Sequence, residues 1–594
     1  MRRRRTWCEG ADARLRCLAL VTICLGAYLP GFFSLPPVDR DESRFAQASR
    51  QMIESGTWEG WVVPRLQNQP RLNKPPLVYW CQAGMGWLLG EAHAQAPSKD
   101  PQGFKWGGKI WVYRLPSLAA ALIAVLATWR FGCALFDPRT AWLGALLLGC
   151  CPMLAWDARQ ARADQVLLAA TVMSQWMLWT IWSHRAHPER LRWRPMLFWV
   201  FVTIGIMAKG PVTPAIVAMT VVFHSLARRE WRWIGRLRPL MGALIMASIV
   251  GPWVYLVASR VGWGAYLWTI TDETVGRSLV VKEGHWGPPG YHLALTTVLF
   301  WPGSLLSAHA LLQAWQRSVR TSQSALPQNM RSRLHRPLWQ LQRIGRGRAA
   351  ELFCLAWLVP GWIVFELART KLPHYTLPLY PAMALLTGRA VLAMVPGALP
   401  RVERITLHAM LGVWLCIGLA LGAIPAVLWL NGGVQHALWI APGAVTALIV
   451  GSLLFAAWRA FRAGRLPRTM AAALGALLIV YWSAFTMLPK LGSVWLSPRL
   501  IALMEQADPN AMRPVAAVDY HEDSLVFLSR GRVQRIDDKD LEGWLAAHQD
   551  GLAVVPSTRQ LATVRVRGLG EVEGFNYSKG RWQRLSLFET QRSP

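Results

Sequence analysis

Residues 405–430 read ITLHAMLGVWLCIGLALGAIPAVLWL, a run with one histidine and no formal charge. At ~1.5 Å per residue it forms a helix of about 39 Å, longer than a ~30 Å hydrocarbon core. Runs 240–258 and 470–488 have the same character. The whole 594-residue chain is 53% hydrophobic and only 16% charged, too little polar material to cover a soluble globule of that size. The reading is an all-α polytopic membrane protein.

The formal charge of +31 raises the question of nucleic acid. The Lys and Arg residues, however, gather in short loops between apolar runs, as in 184–194, 228–238 and 459–468, which is where orientation signals belong. No nucleic-acid partner is expected. The nine cysteines show no CxxC and no metal-ligand spacing, and Cys24, Cys133, Cys354 and Cys416 lie inside apolar runs as packing residues. Residues 1–33 have the charged and apolar regions of a signal peptide without a cleavage site, which predicts an uncleaved first helix and a cytoplasmic N-terminus.

Fourteen apolar runs can be counted, the first at 15–33 and the last at 470–488. If all crossed, the basic loops 185–194, 228–238, 317–348 and 459–468 would lie outside, against the positive-inside rule. Run 75–90 is the one to remove: it spans only ~24 Å and opens on two prolines. It is read as a membrane-surface helix, which leaves thirteen spans in a domain 1–489. The segments without a Lys/Arg surplus then share the outer face: loop 34–113, the corners at 159–164 and Lys209, loop 261–292, turn 368–374 and the tail 490–594. The tail has soluble composition, with buried strands at 515–518 and 552–555, a helix at 541–548 and a hairpin over 564–587. It predicts a small periplasmic α/β domain.

Loop residues 38–80 read VDRDESRFAQASRQMIESGTWEGWVVPRLQNQPRLNKPPLVYW. Asp41 and Glu42 precede a helical stretch, where a helix N-terminus favours carboxylates. The loop then returns to Lys74 beside an interfacial helix carrying Tyr79 and Trp80. One-sided clustering of acids and bases at a bilayer boundary points to a functional site.

The run Asp41-Glu42-Ser43-Arg44-Phe45-Ala46, Ser49-Arg50, Val63-Pro64-Arg65, Lys74-Pro75-Pro76 and Tyr79-Trp80 resembles the first periplasmic loop of the lipid A aminoarabinose transferase family. That family is related to protein O-mannosyltransferases among the polyprenyl-phosphate-dependent, C-type membrane glycosyltransferases. Arg162-Ala163-Asp164, His285-x-x-Pro288-x-x-Tyr291 and Thr370-Lys371-Leu372-Pro373-His374-Tyr375 are similar to later pieces of the same family.

The resemblance implies an inner-membrane enzyme with an inverting transfer, in which the lipid phosphate of a polyprenyl-phosphate-linked sugar leaves as an acceptor oxygen attacks the anomeric carbon. Such chemistry asks for a carboxylate at the acceptor, cations at the departing phosphate and an apolar groove for the isoprenoid tail. Asp41, then Glu42, with Asp164 in support, are the expected carboxylates. Lys74, Arg65 and Lys371 are expected at the phosphate, with Tyr375 as a hydrogen-bond donor to it. The acceptor is a lipid A, glycan or protein oxygen. Family members hold a divalent metal through a Glu before the matching Lys and the His that matches His285. Here Asn73 replaces that Glu, a poorer ligand, so the reading requires no metal and leaves a divalent ion at His285 open.

Each residue also has a plain structural role open to it. Asp41 and Glu42 cap a helix, and Lys74 snorkels at an interface. Arg114, Arg159 and Arg162 pair with outer-loop acids, Lys209 ends a helix, and His374 adds loop polarity. A flippase or a lipid-linked glycan polymerase or ligase would share the many spans and charges at membrane depth. One-face clustering of the polar groups, with no paired broken helices or repeat halves, disfavours transport.

Overall fold

Every one of the fourteen apolar runs contains helix. The computed structural model describes residues 11–92, 106–276, 286–319, 348–431, 440–559 and 566–591. Among these, seven helices are long and apolar enough to cross a membrane, including Ile110–Leu135, Asp164–Ser183 and Pro239–Val261. The helix Asp164–Ser183 is mostly buried and central, whereas Pro239–Val261 has few buried residues and forms an outer wall. Run 75–90 becomes Leu77–Leu88, a 12-residue helix of about 18 Å.

Two runs expected to be continuous are broken. Run 140–156 divides into Pro138–Cys150 and Pro152–Asp157, and run 291–315 into Tyr291–Leu299 and Ser304–Val319. Proline accounts for both breaks: Pro152 and Pro302 have no N–H to donate to a continuing helix, so Pro152 opens a new helix and Pro302 lies two residues before the next one. Elsewhere small residues let helix backbones touch. A Cβ on Gly388 would fall 2.8 Å from the Gly144 backbone nitrogen, so Tyr380–Ala393 seats directly on Pro138–Cys150.

At one end of the bundle the first loop folds into a layer of its own. The helix Asp41–Glu54 buries Phe45, Met52 and Ile53 against the helix Leu77–Leu88, with Phe45 stacked on Tyr79 at 4.8 Å. Trp58–Val62 follows, capped by Thr57, and then a two-strand hairpin, β1 (Arg65–Leu66) with β2 (Gln69–Pro70).

Above this layer sits a small α/β unit. Its sheet has the order β4-β3-β5-β7-β6, from β3 (Val515–Val518), β4 (Val533–Ile536), β5 (Leu552–Pro556), β6 (Val566–Asn576) and β7 (Arg581–Thr590). The β3/β4 and β3/β5 pairs are parallel, while β5/β7 and β6/β7 are antiparallel. β3 and β5 are buried throughout their apolar runs, as four- or five-residue runs of Val, Ala and Leu require.

Buried charge joins the two layers. Arg50 is fully buried, pairs with Glu91 at 2.9 Å, donates to the Phe527 carbonyl at 2.7 Å and lies 4.0 Å from the Phe527 ring. Removing one member of such a pair strands the other charge at a cost of about 3–5 kcal/mol. Arg50→Ala is therefore expected to lower the melting temperature of the detergent-solubilised protein by several degrees, a shift that thermal unfolding measures directly.

Candidate active site

The chain folds so that two adjacent acids face opposite ways. Glu42 turns inward, where its carboxylate accepts from Arg114 Nε at 2.8 Å and Arg114 Nη2 at 3.0 Å. The backbone N–H groups of Ala161 (2.9 Å) and Val38 (2.8 Å) complete its shell. Arg114 also donates to the carbonyls of Phe32, Leu35 and Pro36. Glu42 is thus a fastening of the loop to the helix Ile110–Leu135, at variance with the expectation of a reacting carboxylate. Asp41, the first residue of its helix, points instead into a cavity, and its side chain is 43% exposed.

Around Asp41 stand Arg162 at 3.6 Å and Arg71 at 3.8 Å. Arg162 is the hub of the cluster: it pairs with Asp157 at 3.2 Å and Asp164 at 3.6 Å, and lies 3.0 Å from His374. Asp164, at the start of Asp164–Ser183, also binds Lys209, which ends Arg194–Lys209 and lies 5.7 Å from the Tyr375 ring centre. Lys74 pairs with Glu273 at 3.1 Å. Burial alone would raise the Asp41 carboxyl, but Arg162, Arg71 and Lys74 outweigh it and hold the group well below the usual carboxylate range.

Two cavities meet here. The first, of about 670 Å³, has a polar roof of Asp41, Lys74, Arg162, Lys209 and His374. Its floor is apolar, with Leu421, Ile424 and Leu428 on one helix and Leu477, Val480 and Phe485 on another. The second, of about 530 Å³, is lined by Val250, Trp253, Tyr266 and Ile270, and carries Glu273 at its polar end. Asn73, Lys74 and Lys209 belong to both.

Asp41, Lys74, Asp164 and Tyr375 therefore come together. Arg65 does not: it lines a separate groove with Glu54, Arg530 and Arg532, because Gln67 donates to the Gly531 and Val533 carbonyls and ties the hairpin to the α/β unit. Lys371 is buried and donates to the Gly287 carbonyl at 2.8 Å, so it fastens the fourth loop instead of facing the cavity. His285 lies outside the described residues. Among the described residues no three of His, Cys, Asp and Glu cluster as a metal's ligands, and Asn73 offers only a neutral amide oxygen.

Arg162, expected as a partner of outer-loop acids, is one. Two participants are not singled out by the sequence. Arg71, three residues before Lys74, has a signal in its position between Asp41 and Lys74. Glu273, in a loop of ordinary polarity, has none.

Three comparisons bear on this geometry. Residues 104–256 match the family described as dolichyl-phosphate-mannose-protein mannosyltransferase. The chain is 26% identical over 437 residues to the undecaprenyl phosphate-alpha-4-amino-4-deoxy-L-arabinose arabinosyl transferase of Pectobacterium atrosepticum, covering 71% of this chain and 66% of that one. It is 26% identical over 377 residues to the Pseudomonas aeruginosa protein of the same name, covering 61% and 58%. The match thus spans less than two thirds of the length of these curated relatives.

Among solved structures, ArnT from Cupriavidus metallidurans bound to undecaprenyl phosphate superposes with a TM-score of 0.69 at 19% identity, covering 98% of both chains. The archaeal oligosaccharyltransferase AglB from Archaeoglobus fulgidus does so with a TM-score of 0.51 at 10% identity, covering 89% of this chain and 64% of that one. These likenesses establish the fold, a multi-span membrane architecture with a C-terminal sheet unit. The expected resemblance to lipid A aminoarabinose transferases and protein mannosyltransferases is borne out as a similarity.

The depressed Asp41 carboxyl has a definite sign. Because its folded pKa is lowered, the carboxylate persists as pH falls through ~4, where a free Asp titrates, and protonates only below it. Arg71→Ala is expected to bring this titration up toward the ordinary range. The check is the carboxyl band in infrared difference spectra of native protein against Asp41→Asn.

Proposed function

We propose that this protein is a glycosyltransferase of the inner membrane, with thirteen spans, that moves a sugar from a polyprenyl-phosphate donor to an acceptor oxygen at the periplasmic face. The acceptor is a hydroxyl or phosphate oxygen of lipid A, another glycan or a protein. The reading rests on one observation: Asp41 stands among Arg71, Lys74 and Arg162 at the polar roof of a cavity whose floor is apolar.

The chemistry follows from those positions. A long isoprenoid chain needs an apolar floor, and its phosphate needs cations where the floor meets the roof. Lys74 is the expected phosphate ligand, and Lys209 adds positive charge beside it. In the transfer, the bond from the anomeric carbon to the phosphate oxygen breaks as the bond to the acceptor oxygen forms, with inversion. Positive charge developing on the sugar faces the Asp41 carboxylate, which also accepts a hydrogen bond from the acceptor hydroxyl. A carboxylate held this far below its usual range is a weak base. The departing lipid phosphate, with a second pKa of ~6, is the stronger one and takes the acceptor's proton. Asp164 keeps Lys209 and Arg162 in place, and no metal enters the scheme.

The relatives named above are arabinosyl transferases acting on an undecaprenyl phosphate sugar, and the donor chain proposed here is of that chemical class. Asp41→Asn is expected to keep undecaprenyl phosphate binding and lose transfer by about 10²-fold or more. The assay is mass spectrometry of envelope lipids, glycans and proteins from cells carrying the native or the substituted gene. An unchanged product profile would sink the transferase reading.

Lys74 is engaged by Glu273, and a donor phosphate competes for the same ammonium. Lys74→Ala should weaken undecaprenyl phosphate binding by about tenfold (~1.4 kcal/mol). Glu273→Gln should tighten it several-fold, and titration of the purified protein with undecaprenyl phosphate measures both.

A further inference from the structure

Arg40, immediately before Asp41, has φ 66° and ψ −119°. Glycine adopts that backbone freely, but a residue with a Cβ holds it only under restraint. It also stands at the N-cap position of Asp41–Glu54 without contributing a side-chain cap.

The restraint comes from the far end of the chain. Arg40 Nη2 donates to the Ser578 carbonyl at 2.8 Å and Nε to Ser578 Oγ at 3.3 Å. The Asp39 N–H donates to the Tyr577 hydroxyl at 3.0 Å, and Asp39 Oδ1 accepts from the Ser524 N–H at 2.7 Å. The turn that supplies Tyr577 and Ser578, between β6 and β7, is itself rigid. Asn576 Oδ1 accepts from the N–H groups of Ser578 and Lys579, while its amide donates to Glu522 and Gln583. On the opposite side the segment is pinned to the bundle through Glu42, which accepts from Arg114, while Ser43 Oγ closes the segment on itself by donating to the Val38 carbonyl at 2.6 Å. Residues 38–42 are therefore gripped from two sides, and the strained residue lies between the grips.

We propose that the β6–β7 turn holds Arg40 in this backbone and thereby sets the direction of the Asp41 carboxylate, which makes Arg40 a positioning residue and the α/β unit a working part of the site. Relaxation at φ of Arg40 would swing the first turn of the helix and carry Asp41 off its line to the cavity roof. The inference rests on the reading of Asp41 as the reacting carboxylate.

Substitutions at position 40 separate strain from simple contact. Arg40→Ala keeps the Cβ and loses the grip, so the backbone relaxes. Arg40→Gly also loses the grip but adopts the same φ and ψ without strain. In membrane vesicles, transfer is followed as the product that mass spectrometry loses in Asp41→Asn. Arg40→Ala is expected to slow it about tenfold with the half-saturating donor concentration unchanged, and Arg40→Gly to recover most of the rate. A native rate in Arg40→Ala overturns the proposal. So does an Arg40→Gly rate as low as that of Arg40→Ala while undecaprenyl phosphate still binds. Should Arg40→Ala fail to give a cooperative melt, Tyr577→Phe decides: a several-fold loss of rate with native melting supports the proposal, and a native rate overturns it. Full activity in Asp41→Asn would instead defeat the transferase reading on which it rests.

Discussion

The bidentate pair of Glu42 and Arg114 is the interaction on which the arrangement at this end of the bundle depends. Both charges are out of solvent, and each keeps its partner because the remaining lone pairs and N–H groups are met by backbone from two separate segments, Phe32 to Val38 and Ala161. Such a pair persists only when its geometry is this complete. It nails the start of the helix Asp41–Glu54 to the helix Ile110–Leu135, and the neighbouring residue is left facing the cavity. One of two adjacent acids is consumed by architecture so that the other can be aimed.

Much of this was readable beforehand, for a physical reason. Apolar runs longer than a bilayer have few alternatives to helix, so the spans appeared in composition alone. The clustering of Asp41, Lys74, Asp164 and Tyr375 followed from loop charges and parity, since positive loops fix which segments can meet. The proline breaks at 152 and 302 were also visible in principle, but a break inside a long apolar run leaves its hydropathy unchanged. Side-chain direction was not readable. Glu42, Arg65 and Lys371 lie in the expected segments, yet tertiary contacts with Arg114, the α/β unit and Gly287 turn them elsewhere. A motif carries spacing, and spacing does not say which face of a helix start or hairpin a partner will claim.

The charges around Asp41 are paired: Arg71, Lys74, Arg162 and Lys209 each contact one or more of Asp41, Asp157, Asp164 and Glu273. A site at rest near a low-dielectric core is stable in that condition, because isolated charges there are expensive. Three of the four acids have cations fixed to them by neighbouring structure. Glu273, the second residue of an irregular helical turn, is bound to Lys74, one of the two lysines that border both cavities.

That border has a kinetic meaning. Lys74 and Lys209 form part of the wall of each chamber, and one ammonium cannot fully screen two anions at once. An anionic guest in one chamber then loosens the hold on an anionic guest in the other, and thermodynamic reciprocity makes the penalty mutual. The shared lysines thus couple the two chambers through charge alone, with no moving door between them.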